Sequence, residues 1–195
     1  MTKRLFDFFS SVIGLIVLTP VLILISIAIK ISSSGPVLFY QKRVGKDGKL
    51  FTLIKFRSMT VQQQSKSTAT ARGDVRITKI GAFLRKYKLD ELPELWNVIK
   101  GEMSLVGPRP DVPGYADKLV GNDRNILKLR PGITGAASLK YVNEEEILAA
   151  QQNPQKYNDE VIFPDKVKVN LDYYENQSLW LDIKIIFATI FRSSY

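Results

Sequence analysis

Residues Val12 to Ile29 read VIGLIVLTPVLILISIAI and carry no charge. At about 1.5 Å per residue, eighteen helical residues reach about 27 Å, close to the hydrocarbon thickness of a bilayer. A signal peptide fits poorly, since the apolar stretch is long and no small-x-small cleavage site follows it. Pro20 lies mid-segment, where it removes one helical hydrogen bond and crowds the carbonyl of Ile16. Thr19 beside it can offer a hydroxyl to the freed backbone. Basic residues flank both ends: Lys3 and Arg4 before, then Lys30, Lys42, Arg43, Lys46 and Lys49 after. Basic flanks favour the cytoplasmic side, and here both flanks do. Two readings stay open on these residues: a helix that spans, and one that enters, breaks at Thr19-Pro20 and returns to the same face.

Outside this segment the chain is basic and globular in composition. The 195 residues hold 28 Lys+Arg against 19 Asp+Glu, a formal charge of +9, with no His and no Cys. Those two absences exclude disulfides, thiol nucleophiles, the usual Cys/His zinc sites and any imidazole base. Chemistry must run on Asp, Glu, Lys, Arg, Tyr, Ser or Thr, with an oxygen-preferring metal such as magnesium as the natural helper. Excess positive charge points to an anionic partner: nucleic acid, lipid headgroups or a phosphorylated ligand. No stretch interleaves basic and aromatic residues in the manner of a nucleic-acid surface.

The remaining elements follow from periodicity. Val37–Arg43 and Leu50–Arg57 are rich in β-branched and aromatic residues and are separated by Asp47-Gly48, so they predict a hairpin with Lys55 and Arg57 on one face. Val61–Ala71 is polar and aperiodic, a mobile loop by its composition. Ile77, Ile80, Phe83, Leu84 and Tyr87 have helical spacing. A second helix is predicted from Glu91 to Lys100, with Asp90 as N-cap, Pro93 in its first turn and Gly101 just past its end. Glu144–Gln152 predicts a polar helix. Leu179, Trp180, Ile183, Ile186, Phe187, Ile190 and Phe191 form a wide stripe, either a core face or a helix lying in a membrane interface.

The chemistry-bearing cluster is Leu89-Asp90-Glu91-Leu92-Pro93-Glu94. A helix start stabilises a carboxylate and receives phosphate. For an Asp-Glu pair alone, capping is the ordinary reading. Around it, however, basic residues recur beside stiff backbone: Lys55 and Arg57 on a strand, Arg85 just before the acids, Arg109 in Gly107-Pro108-Arg109-Pro110 and Arg130 before Pro131. Guanidinium forks match phosphate oxygens, and five such groups suit a diphosphate site.

These motifs together resemble the bacterial sugar transferases of the monotopic phosphoglycosyl transferase family, the small polyprenol-phosphate hexose-1-phosphate transferases. The likeness runs along nearly the whole chain. It includes Lys3-Arg4-Leu5-Phe6-Asp7, Thr19-Pro20, Gly35-Pro36-Val37 with Gln41-Lys42-Arg43-Val44-Gly45, and Lys55-Phe56-Arg57-Ser58-Met59. It continues through Leu89 to Pro93, Asn97 to Pro110 and Arg130-Pro131-Gly132-Ile133-Thr134-Gly135.

The resemblance implies an α+β, mostly helical fold. A re-entrant membrane anchor, helix-break-helix, would occupy residues 1–34. A cytosolic catalytic domain with a short β-hairpin and amphipathic interfacial helices would occupy 35–195. It implies a monotopic protein on the cytosolic face of the bacterial inner membrane. The reaction would move a sugar 1-phosphate from a UDP-sugar to a polyprenol phosphate, expected to be undecaprenyl phosphate, with UMP leaving. This would be the first membrane step of glycan assembly. Asp90 would attack phosphorus and carry a covalent phospho-sugar. Glu91 would assist as base or within the metal site, and Mg2+ with Asp90 as ligand would spread the diphosphate charge. Lys55, Arg57, Arg85, Arg109 and Arg130 would hold phosphate. Membrane lipids would be partners, nucleic acid would not, and a homodimer is compatible with this.

Many relatives follow the Gly-Ile-Thr-Gly turn with Trp-Ala-Gln-Val-Asn-Gly-Arg. This chain has Ala136-Ala137-Ser138-Leu139-Lys140-Tyr141-Val142-Asn143-Glu144-Glu145, which points to a different sugar preference. It also lacks the additional N-terminal spans of larger members, as expected of a minimal catalytic unit. The rival readings are a membrane-anchored basic module that binds anionic lipid without catalysis, and an enzyme whose first helix spans the bilayer.

Overall fold

The computed structural model describes residues 2–60 and 76–191. The polar loop expected at Val61–Ala71 lies outside the described residues. One helix, α1, covers Thr2–Ser32. At 31 residues it is long and apolar enough to cross a membrane. Helical geometry continues through Pro20, so the break expected at Thr19-Pro20 is corrected to an interior proline of one helix. Pro20 deletes a single donor. The Thr19 hydroxyl donates to the Leu15 carbonyl (2.7 Å), four residues back and beside the freed Ile16 oxygen, a bond that favours a local bend.

The predicted hairpin forms. Strand β1 (Leu38–Val44) pairs antiparallel with β2 (Leu50–Phe56), with Leu38 opposite Phe56 and Arg43 opposite Phe51. Asp47 and Gly48 both take positive φ (57° and 78°) inside the Gly45–Lys49 connection, which Gly45 N–H closes by donating to Lys49 O (2.8 Å). The predicted amphipathic helix is α2 (Lys79–Lys86), capped by the Thr78 hydroxyl on the Gly81 amide at 2.9 Å.

Helix α3 covers Glu94–Lys100, and Gly101 ends it in the left-handed region (φ 85°). Its start is later than expected. Leu89–Glu91 form a separate 3-10 turn, entered through Lys88 at φ 57°, and Asp90 does not cap α3. Of the two amides an Asp90 cap could use, Pro93 has no N–H and Leu92 N–H donates to Leu89 O instead (3.3 Å).

Two short strands, β3 (Ser104–Val106) and β4 (Gly132–Thr134), pair in parallel. Beyond β3 the Gly107–Pro110 loop crosses the 130–135 turn with backbones nearly touching. Gly107 N–H donates to Thr134 O (2.9 Å) and Gly132 N–H to Pro108 O (2.8 Å). A Cβ on Gly107, Gly132 or Gly135 would strike the facing backbone, which is why both motifs are built on glycine here.

The C-terminal half is helical: α4 (Ala136–Lys140), α5 (Glu144–Ala149), α6 (Pro154–Tyr157), a π turn at Asn158–Ile162, α7 (Phe163–Asn176) and α8 (Leu179–Phe191). Val106, Leu129, Ala136, Tyr173 and Ile185 form one core between β3, α7 and α8. On α8 the buried face is Asp182, Ile185 and Ala188. Trp180, Phe187, Ile190 and Phe191 of the expected stripe are exposed.

Both ends of α1 are tied to this same body. Near its start, Lys3 Nζ donates to Asp182 Oδ2 (2.5 Å) and Val106 O (3.1 Å), and Arg4 donates to Val98 O (2.6 Å) and Ile99 O (2.8 Å). The buried Asp7 accepts from Ser104 Oγ (2.7 Å) and Leu105 N (3.2 Å). Near its end, Ile25 and Ile29 pack with Phe56 and Leu84. Midway, α1 lies on α3, with Gly14 facing Leu95. The opposite side of α1 exposes Phe9, Ile13, Ile16, Val17, Leu24 and Ile31.

Candidate active site

The site is assembled where β2, the 89–91 turn, α3 and the Gly107–Pro110 loop meet. Asn97, fully buried on α3, locks that helix to β2. It accepts from Ile54 N (3.1 Å), and its amide donates to Thr52 O (2.8 Å) and Glu102 Oε2 (2.7 Å). That register brings the next strand residue, Lys55, against the acids. Lys55 Nζ lies 3.1 Å from Glu91 Oε1 and 3.1 Å from Glu94 Oε1. From the other side, Arg109 Nη2 donates to Glu91 Oε1 (2.5 Å). Arg43 secures the loop that carries Arg109, donating to Pro110 O (3.0 Å), while Val44 N–H donates to Asp111 O (2.9 Å). Arg43, Leu53, Lys55, Glu94, Arg109 and Pro110 line a cleft of about 10 Å³, room for about one water.

The three acids are buried but differ in state. Burial raises the Asp90 carboxyl above the usual carboxylate range, Glu91 adds to this, and the charges of Lys55, Arg85 and Lys88 oppose it. Asp90 Oδ1 is buried and has no hydrogen-bond partner. Burial also works against ionisation of Glu91, but Arg109 and Lys55 overcome it and hold that carboxyl far below the usual range. Burial keeps Glu94 high despite Lys55. Glu91 is therefore a fixed anion clasped by two cations. Asp90 is a desolvated carboxylate with one oxygen unused, and such an oxygen is a better nucleophile than a hydrated one.

The predicted cations divide into two groups. Lys55 and Arg109 join the acids. Arg85 stands close enough for its charge to act on Asp90, and its guanidinium bonds Glu145 Oε1 (2.5 Å). Arg57 is placed elsewhere. It lies past the end of β2 and is buried, donating to Ser34 O (2.6 Å), Ser33 O (2.8 Å) and Ser33 Oγ (2.8 Å), so it holds the exit of α1. Arg130 is also placed elsewhere, with Nε on Gly101 O (2.9 Å) past the far end of α3.

Sequence reasoning named Glu94 and Arg43 in its motifs without giving either a role in the site, and passed over Asp111. Glu94 had a readable signal: it lies four residues after Asp90, one helical turn on. Burial pushes the Asp111 carboxyl up to about 6. Nothing in the sequence marks Asp111 as part of this wall.

Magnesium can be tested on these donors. Among the described residues, no group of three acids is arranged to hold a metal. Glu91 and Glu94 are occupied by cations, leaving the Asp90 carboxylate as the available ligand. That fits an ion held mainly by substrate phosphates with one carboxylate, a common arrangement for Mg2+.

A sequence profile described as bacterial sugar transferase matches residues 1–194. The chain is 38% identical to a UDP-glucose:undecaprenyl-phosphate glucose-1-phosphate transferase of Klebsiella pneumoniae, over 97% of this chain and 39% of that protein. It is 36% identical to a UDP-N-acetylgalactosamine-undecaprenyl-phosphate N-acetylgalactosaminephosphotransferase of Aeromonas hydrophila, over 96% of this chain and 42% of that protein. It is 38% identical to the exopolysaccharide production protein PSS of Rhizobium leguminosarum bv. phaseoli, over 96% of this chain and 92% of that protein. The chain thus spans about two fifths of the first two relatives and nearly all of the third.

Proposed function

The chain belongs to the bacterial sugar transferase family, and we propose that it moves a sugar 1-phosphate from a UDP-sugar to undecaprenyl phosphate. The observation that carries this reading is the buried Asp90 with its unpartnered Oδ1, set beside Lys55, Arg85 and the Arg109-clasped Glu91. In the first step an Asp90 oxygen forms a bond to the sugar-bearing phosphorus. The bond from that phosphorus to the bridging oxygen breaks, and UMP leaves with the electron pair. In the second step an oxygen of the polyprenol phosphate attacks the same phosphorus. The aspartyl bond breaks, freeing Asp90 and polyprenol-diphosphate-sugar. Lys55 and Arg109 supply fixed positive charge where negative charge gathers. Glu91 keeps both cations in register and is placed to assist the incoming phosphate. Mg2+, held by Asp90 and the substrate phosphates, would neutralise diphosphate charge.

The same reading makes the protein monotopic on the cytosolic face, with residues 1–34 as anchor and 35–195 as catalytic domain. Support comes from Lys3, Arg4 and Asp7 at one end of α1 and Ile29 at the other, all engaged by one globular body. A helix crossing to the far side would have to surrender one set of those contacts. The exposed apolar faces of α1 and α8 suit lipid. The glycan into which the product would feed is one that begins on a lipid diphosphate. UMP release from a panel of UDP-sugars with undecaprenyl phosphate tests the activity. Labelling a Thr2→Cys variant in intact cells tests the topology, because the chain has no native Cys. Protection from impermeant reagent outside is the expected result, and labelling from outside would contradict it.

A further inference from the structure

Two arginines of the candidate site are paired with carboxylates, but in different ways. Arg109 meets Glu91, which is buried and also held by Lys55. Arg85, in the last turn of α2, meets Glu145, in the first turn of α5 and sixty residues away in sequence. The Glu145 side chain is 47% exposed. On its other side the segment is fastened to α7. Lys140 Nζ and Tyr141 OH both bond Asp165 Oδ2 at 2.6 Å, and Lys166 Nζ bonds Glu144 Oε1 at 2.6 Å, tying residues 140–144 to α7. Glu145 reaches back from there to Arg85 of α2. Arg85 also acts on Asp90 through its charge, so it sits within electrostatic reach of the reacting carboxylate.

We infer that Glu145 is a displaceable carboxylate that holds Arg85 in readiness, and that substrate entry exchanges the Arg85–Glu145 pair for an Arg85–phosphate pair. This rests on the proposed function, since the displacing group is the diphosphate of a nucleotide sugar. The exchange is feasible because an exposed ion pair is weak and a diphosphate offers several charged oxygens to the same guanidinium fork. Glu91 cannot yield in the same way, because leaving Lys55 and Arg109 would strand a buried charge. Glu145 is thus a positioning residue that sets nucleotide-sugar affinity by competing for Arg85.

The test is UDP binding by calorimetry to the full chain in lipid nanodiscs, alongside UMP-release kinetics. Glu145→Gln should tighten UDP binding and lower KM by about two- to fivefold, the strength of a surface ion pair, with a smaller change in kcat. Arg85→Gln should weaken UDP binding, and adding Glu145→Gln in that background should then change nothing. Unchanged or weaker UDP binding by Glu145→Gln, in a variant that melts like the parent, overturns the exchange. The same gain with and without Arg85 overturns it too. A parent chain that binds no UDP overturns both this inference and the proposed function. A parent that binds UDP and turns over while Glu145→Gln shows no gain overturns only the exchange.

Discussion

The molecule buries aspartates in two settings, and the contrast separates scaffold from chemistry. At the root of α1, Asp182 is satisfied on both oxygens: Lys3 donates to one at 2.5 Å and Tyr173 to the other at 2.5 Å. The Tyr173 hydroxyl is consequently held well protonated, by burial first and by Asp182 second. Asp7 is likewise satisfied, by Ser104 and the Leu105 amide. At the 89–91 turn, Asp90 is also buried but keeps Oδ1 without a partner. A fold gains nothing from such an oxygen, since an unpaired buried polar atom costs about 1–3 kcal/mol. The first kind of acid locks α1 to the rest of the chain. The second, on the proposed function, is the oxygen left for a substrate.

Substitutions should break this contrast in graded fashion. The largest effect belongs to Asp90→Asn. It should cut UMP release at least about a thousandfold, as expected when a covalent nucleophile is lost, while leaving the thermal midpoint within a few degrees. Asp182→Ala should do the reverse. It strands Lys3 and Tyr173 and should cost about 3 kcal/mol of stability, read as an earlier unfolding transition in detergent. Arg109→Gln comes next, with KM for the UDP-sugar raised about tenfold, as loss of a charge-assisted contact predicts, and a smaller fall in kcat. The mildest is Thr19→Val, which removes one hydroxyl bond beside Pro20. It should shift stability by about 1 kcal/mol or less and leave activity within twofold. Chelation sharpens the same comparison: EDTA should abolish UMP release, magnesium should restore it, and the melting transition should not move.

Much of the fold could be read from local chemistry. Asp47-Gly48 announced its hairpin turn because only a few residues accept two successive positive φ values. The Ile77–Tyr87 spacing located α2. Tertiary crossings were not readable. Strands β3 and β4 are three residues each, too short for a period, and depend on glycines at 107 and 132 finding each other. The α8 stripe left a core face and an interface-lying helix open; the structure exposes Trp180, Phe187, Ile190 and Phe191 and buries Asp182, Ile185 and Ala188, and the distant Lys3 explains the buried Asp182. The site was legible in its acids and in Lys55 and Arg109. It was not legible in Arg57 and Arg130, whose partners are backbone carbonyls supplied by remote turns. The capping reading of Asp90 failed because Pro93 has no N–H and Leu92 N–H bonds Leu89 O.

The central claim is that Asp90 bonds to phosphorus. Incubating the full chain in nanodiscs with its UDP-sugar and no polyprenol phosphate, then quenching and mapping peptides by mass spectrometry, tests it directly. The account predicts one equivalent of UMP released and a sugar phosphate on the peptide containing Asp90, removed on adding undecaprenyl phosphate. An unmodified chain that releases UMP only when both substrates are present would contradict it.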